Sequence, residues 1–361
     1  MSTSRKLFLL VLAAFLFIFA GCSQTDLLPT APVVTEEEQM FTQGTSGSFS
    51  TYYNQPPKTK YIDLRVIDFI ESANSTIDIA MFNINRQNVI NALIAAKQRG
   101  VNVRMVTEND YYTRATFKPF YDQIEAGGIP VVPDIGTALM HHKFIVVDGQ
   151  KVLTGAYNLT DDQTENDKNM IITINSSQLA GFYLQEFNQM FVDKKFHGQK
   201  EHISGSCYVD GCLIEVYFSP KVGALNAMGN AIESADSNIW FDIFTFTSDD
   251  ISAALIQEYN SGVSVKGTFD KWQAGSRYSE YLPMLNAGIP VKRDTYSGFL
   301  HEKIMAIDAY TSKDPIGIIG SFNWTASADN SNDENLLIIH NSFVANSIRG
   351  QCVYVYNNWA Q

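Results

Sequence analysis

One stretch of this chain is written twice. Residues 69–110 read FIESANSTIDIAMFNINRQNVINALIAAKQRGVNVRMVTEND, and residues 231–270 read AIESADSNIWFDIFTFTSDDISAALIQEYNSGVSVKGTFD. Ile70-Glu71-Ser72-Ala73 matches Ile232-Glu233-Ser234-Ala235, and Gly100-Val101 matches Gly262-Val263 at the same spacing. Further on, Gly128-Ile129-Pro130 matches Gly288-Ile289-Pro290. Whatever fold serves one copy has to serve the other, so the 361 residues read as two related halves.

Each copy reads helix, strand, helix, strand, helix, strand. Residues 72–76 and 234–238 look like turns that end a helix before the apolar strands 77–82 and 239–246. Residues 88–99 and 250–260 carry apolar side chains at helical spacing, and Gly100 and Gly262 suit helix C-termini. Short apolar strands at 101–106 and 263–268 follow. The expected fold is α/β and bilobal: two pseudo-twofold-related halves, each with a mixed, mostly parallel sheet flanked by helices. Matching strands then meet near the axis, and the tail of each copy lies near the tail of the other.

Those tails carry the chemistry. Residues 141–148 read HHKFIVVD and residues 301–308 read HEKIMAID. Side chains at i and i+2 of a strand face the same side, so His141 projects with Lys143 and His301 with Lys303. Asp148 and Asp308 fall past the strand end and are expected to pin loops by hydrogen bonds rather than to react. Brought together at a twofold axis, two imidazoles and two ammonium groups suit a phosphodiester. The lysines and nearby amides hold the non-bridging oxygens, one histidine attacks phosphorus, and the other protonates the leaving oxygen and later activates water. No metal and no cofactor is needed for those roles.

Here the chain resembles the phospholipase D superfamily, whose mark is H-x-K-x4-D followed by G-S-x-N and a downstream acidic residue, usually present twice. The second copy has His301, Lys303, Asp308, Gly320, Ser321, Asn323 and Glu334; the first has His141, Lys143, Asp148, Gly155 and Asn158. The first copy departs from the pattern at two places. Ala156 stands where Ser321 stands, and Lys168 stands where Glu334 does when ENDKNMIIT is aligned on SNDENLLII, with Asp167 one residue off so that a slip would restore a carboxylate. The resemblance implies that each acidic residue holds the histidine of the opposite half. Glu334 would then serve His141 as the nucleophile. His301 would be the acid, its pKa lowered by Lys168. Gly155 and Gly320 also read as allowing a tight backbone turn, and Ser321 and Asn323 could be turn formers. Tyr111-Tyr112 and Trp272 occupy matching loops; they either line the cleft or are surface aromatics.

The N-terminus sets the expected location. Arg5 and Lys6 precede an apolar run, Leu7 to Ala20, that ends in Gly21-Cys22. That run is short for a membrane span and suits a signal peptide at 1–21; its end resembles a bacterial lipobox, with Cys22 lipidated. Residues 22–50, rich in Ser, Thr, Pro and Gly, read as a flexible linker, with the two halves at 51–200 and 201–361. The expected product is an exported, membrane-anchored lipoprotein facing the periplasm or the cell exterior, and monomeric. In that compartment Cys207 and Cys212, in CYVDGC, are expected to form a small disulfide. The net charge of −12 gives no overall pull toward nucleic acid. A phospholipid substrate is therefore favoured over DNA or RNA. An endonuclease, or a weakened protein that only binds phosphodiesters, are the alternatives.

Overall fold

The computed structural model describes residues 44–58, 60–311 and 313–361. The apolar run, Cys22 and most of the expected linker lie outside the described residues. Among the described residues no helix is long and apolar enough to cross a membrane.

The first half contributes β1 (Gly44–Ser46), β2 (Phe49–Asn54), β3 (Thr76–Met81), β4 (Asn102–Thr107), β5 (Val131–Pro133), β6 (Lys143–Val147), β7 (Lys151–Gly155) and β8 (Asn169–Asn175). The second half contributes β9 (Ile203–Val209), β10 (Cys212–Ser219), β11 (Asn238–Ile243), β12 (Ser264–Phe269), β13 (Val291–Arg293), β14 (Lys303–Ile307), β15 (Ile316–Gly320) and β16 (Glu334–His340). The two eight-stranded sheets have the same topology, in the orders β1-β2-β8-β7-β6-β3-β4-β5 and β9-β10-β16-β15-β14-β11-β12-β13.

Both sheets are mixed, but the parallel part is smaller than the repeat suggests. Only β3-β4-β5 and β11-β12-β13 run parallel. The reason is local: helices Gln87–Gln98 and Asp249–Ser261 make crossovers, whereas the segments after the histidine motifs turn back tightly. After β6 the turn is Asp148-Gly149, with φ of 55° and 62°. The linker also ends earlier than expected, because β1 and β2 are strands, and β2 pairs with β8.

Helices Ser177–Phe191 and Ser342–Asn358 sit between the sheets in a core drawn from both halves, including Phe144, Phe187, Ile304 and Ile348. Two further cores lie on the outer faces, one around Ile70, Ile90 and Ile124, the other around Ile232, Leu255 and Met284. β6 and β14 are buried along their whole length, which is why KFIVV and KIMAI read as continuous apolar runs after the lysine.

The expected disulfide is absent: Cys207 and Cys212 are free thiols. The two-residue Asp210-Gly211 turn, both residues at positive φ, pairs Cys212 with Val209 and Cys207 with Ile214. The cysteines therefore stand two positions out of register.

Candidate active site

Each histidine segment is tied to the opposite half. His141 N–H donates to the Asp333 carbonyl at 2.9 Å, and His301 N–H donates to the Lys168 carbonyl at 3.0 Å. These bonds place each histidine beside the first residue of the other sheet's β8 or β16. His141 Nδ1 lies 2.7 Å from Glu334 Oε2, and His301 Nδ1 lies 3.1 Å from Asn169 Oδ1.

The second contact corrects the expected alignment. Asn169, not Lys168, occupies the position of Glu334. The registers agree: β2 pairs Asn54 with Asn169, and β10 pairs Ser219 with Glu334. Counting from Gly155 as far as Gly320 stands from Glu334 leads to Asn169, so a gapless reading would have found it. Aligning on the charged residues introduced a slip of one. Lys168 instead corresponds to Asp333 and places its ammonium 3.1 Å from both oxygens of Asp294.

Each lysine bonds back to the backbone of its own histidine. Lys143 Nζ donates to the His141 carbonyl and Lys303 Nζ to the His301 carbonyl, each at 2.7 Å. Each ammonium also lies 4.8 Å from a phenylalanine centroid, Phe82 in the first half and Phe244 in the second. The same two rings pack on His141 and His301, again at 4.8 Å.

Burial dominates the electrostatics. It pushes both histidines well below their ordinary pKa, and the two lysine cations push in the same direction. His301 is therefore depressed by Lys303 and Lys143 rather than by Lys168. Burial also lowers Lys143 well below the usual lysine range and brings Lys303 to about 7. It raises Glu334 to about 7 against the pull of Lys143.

The other motif residues take distinct places. The Asp148 carboxylate accepts the backbone N–H groups of Asn74, Ser75 and Thr76, and the Asp308 carboxylate accepts those of Asp236, Ser237 and Asn238. Burial works against the Asp148 charge, but those N–H groups outweigh it and hold its carboxyl well below the ordinary range. Both carboxylates thus tie the loops before β3 and β11 to the strand ends of β6 and β14. Gly155 and Gly320 permit strand contact: a Cβ would meet Met170 O at 2.3 Å and Asn335 O at 2.1 Å. Ser321 Oγ accepts from Asn335 N–H at 3.0 Å, a bond for which Ala156 has no hydroxyl. The Oδ1 atoms of Asn158 and Asn323 are buried without a hydrogen-bond partner.

His141, His301 and Asn158 line a cleft of about 400 Å³. Its walls include Phe82, Tyr111 and Phe117 from the first half, and Phe244 and Phe299 from the second. Arg114 lies over the Tyr111 ring at 4.3 Å. A second compartment of about 380 Å³ shares Asp162, Asp167 and Phe299 with the first, and Trp272 forms part of its wall. Tyr111 and Trp272 therefore line cavities, whereas Tyr112 turns away and donates to Glu125. Among the described residues, no group of His, Cys, Asp and Glu is placed to hold a metal ion.

Sequence reasoning missed a pair of supporting acids. Glu108 Oε2 accepts Met140 N–H at 2.8 Å, and Asp270 Oδ2 accepts Leu300 N–H at 3.1 Å, fixing the residue before each histidine. Their signal was an acid eight residues after Gly100 in one copy and after Gly262 in the other. Burial, then Asp134, raises Glu108 to about 7.

Comparison with known proteins agrees with this geometry. The family described as "Cardiolipin synthase, PLD-like domain" matches residues 66–191 and 228–352, one copy in each half. A mitochondrial cardiolipin hydrolase from Chlamydomonas reinhardtii is 31% identical over 129 residues, 35% of this chain and 56% of that protein. A phospholipase D from Rickettsia conorii is 31% identical over 134 residues, 37% of this chain and 64% of that protein. The chain thus spans less than two thirds of the length of either relative. The phosphatidylserine synthase of Haemophilus influenzae superposes with a TM-score of 0.67 over 90% of both chains at 11% identity, a likeness of fold.

Proposed function

Because this chain belongs to the phospholipase D superfamily, we propose that it is a phosphoric diester hydrolase that cleaves phospholipids through a covalent phosphohistidine. The observation that carries the reading is the unequal pair of contacts, Glu334 on His141 and Asn169 on His301. A carboxylate fixes the tautomer in which the other ring nitrogen of His141 keeps its lone pair, and it stabilises the charge that ring gains on attack. An amide gives His301 orientation without that charge.

In the first step His141 forms a bond to phosphorus, and the ester bond to the leaving alcohol breaks. His301 gives its proton to the departing oxygen. The phosphodiester's own negative charge offsets the two ammonium groups, which lets His301 carry a proton that burial and the lysines otherwise disfavour. In the second step water, deprotonated by His301, displaces His141. Lys143, Lys303, Asn158 and Asn323 hold the non-bridging oxygens.

A lipid fits the walls better than a polynucleotide. Aromatic rings make up much of the lining, Arg114 is the one arginine or lysine among the lining residues, and Asp162 and Asp167 line it too. A run of phosphates needs a basic track. Lipidation at Cys22 would hold the enzyme against a membrane as an exported lipoprotein.

The test is turnover of phospholipid vesicles and of single- and double-stranded DNA and RNA, with EDTA present. Lipid cleavage is expected to persist in EDTA. An alkaline denaturing quench, used because phosphoramidates hydrolyse in acid, should place the adduct on the His141 peptide, and His301→Ala should prolong its life with p-nitrophenyl diesters. Loss of all turnover in EDTA, or an adduct on neither histidine, would end the mechanism. Faster cleavage of nucleic acid would end the choice of substrate.

A further inference from the structure

Asp134 and Asp294 hold matching places. Asp134, just after β5, donates its N–H to the Thr107 carbonyl, and Asp294, just after β13, donates its N–H to the Phe269 carbonyl, each at 2.9 Å. In the second half Asp294 meets the Lys168 ammonium directly, and that ion pair closes one side of the join. On the other side the residue that corresponds to Lys168 is Asp333, so there a carboxylate faces a carboxylate. Both of these side chains are buried. Two like charges held together out of water need a cation between them.

His197 stands in that place. It belongs to the connector 192–202, which leads from one half to the other. Its Nε2 lies 3.1 Å from Asp134 Oδ2. Its Nδ1 lies 3.1 Å from Asp333 Oδ2, within ion-pair range but out of line for a hydrogen bond. Its backbone N–H donates to Asp333 Oδ1 at 2.9 Å. The residue keeps this position at a φ of 54°, which costs a side chain other than glycine some strain. Gly136 passes so close to the ring that an added Cβ would stand 3.3 Å from Cδ2. Lys200, from the same connector, lies 2.8 Å from Asp333 Oδ1 and also meets Glu186, which lies 2.8 Å from His142 Nε2. Burial opposes a charge on His197, but Asp134 and then Asp333 outweigh it and raise the imidazole to about 9. Burial opposes the charge on Asp333 too, but Lys200 and then His197 hold its carboxyl below the ordinary range.

What the bridge holds is the seat of His141. Asp333 donates its N–H to the Leu139 carbonyl at 2.8 Å and accepts the His141 N–H. The next residue is Glu334, 2.7 Å from His141 Nδ1. On the other side, Asp134 Oδ1 accepts the Asn109 N–H at 2.6 Å, beside the Glu108 that accepts the Met140 N–H. Resting on the phosphodiesterase reading above, we propose that His197 is a positioning residue: as an imidazolium it clamps Asp134 to Asp333 and so holds Glu334 against His141 for attack on phosphorus. It touches neither the substrate nor the reacting atoms. It does on one side of the join what Lys168 does on the other, with a cation that can lose its charge. The unfolded chain gives up this proton at about 6.5, where the folded protein still holds it. The stability the clamp adds is therefore complete below about 6.5 and is lost as pH rises through about 9.

Proton NMR and kinetics on the full chain test this. The imidazole N–H between His141 and Glu334 should give a resonance far downfield, assigned by its loss in Glu334→Gln. In His197→Gln, which keeps a polar side chain but no charge, that resonance should broaden away. There kcat on a p-nitrophenyl diester should fall about 10- to 100-fold with KM little changed. The double substitution of Asp134→Asn with His197→Gln should recover much of the loss, because a carboxylate no longer faces a carboxylate. The ring protons of His197 in the native protein should titrate near 9, a result that depends on no variant folding. Titration of His197 below pH 7, a downfield resonance unchanged in His197→Gln, or a double variant no more active than the single one overturns the clamp. A resonance lost in His197→Gln, from a protein that cleaves no diester, keeps the clamp and overturns the catalytic reading instead.

Discussion

His141 and His301 look alike in the sequence, but each is governed by one atom from the other half: a carboxylate oxygen of Glu334 or an amide oxygen of Asn169. The pH dependence follows from the groups around them. Burial raises Glu334 to about 7, and it must be ionised to support His141, so activity climbs as pH rises through that value. Burial lowers Lys303 to about 7, and it must be protonated to hold an anion, so activity falls as pH rises further. The expected kcat/KM profile is a narrow bell centred near neutrality, reporting the free enzyme. Glu334→Gln should remove the acid limb and lower kcat by about 10²–10⁴-fold. A plateau from pH 6 to 9 in the native enzyme would contradict this account.

Elements hold these residues at fixed spacing. β15 and β16 approach so closely at Gly320 that a methyl group would stand 2.1 Å from the Asn335 carbonyl. Gly320→Ala is therefore expected to destabilise the protein by about 1–3 kcal/mol, with activity falling in step with the displacement of Ser321 and Glu334. Thermal unfolding and a kinetic assay below the transition would show it; an unchanged Tm would mean the strands can separate there at little cost. The positions of the histidines, lysines and pinning aspartates were legible because they recur at fixed spacing on apolar strands. The strand directions were less so, because periodicity reveals a strand but not which way its neighbour runs. Asn169 was missed for a different reason: an amide has no charge to mark it, and Lys168 beside it does. The cysteines misled because closeness along the chain ignores register. Asp210 and Gly211 fix that register, and it sets Cys207 opposite Ile214.

Over the whole molecule, one topology is used twice with unequal residues at the join. Asn169→Glu restores the missing carboxylate and gives His301 the partner that Glu334 gives His141. The expected outcome is a phosphoryl adduct shared between the His141 and His301 peptides, read by mass spectrometry after alkaline quench. An adduct still confined to His141 would mean that the asymmetry resides elsewhere, with the hydroxyl of Ser321 the next difference between the halves. The join also bears on regiochemistry. A phosphodiester has two ester bonds, and a perfectly twofold site would offer attack in line with either, releasing a mixture of alcohols. With one ring backed by a carboxylate and the other by an amide, the substrate has a preferred way round. On the proposed mechanism, the amide of Asn169 standing opposite the carboxylate of Glu334 would give a duplicated site one direction of cleavage at phosphorus.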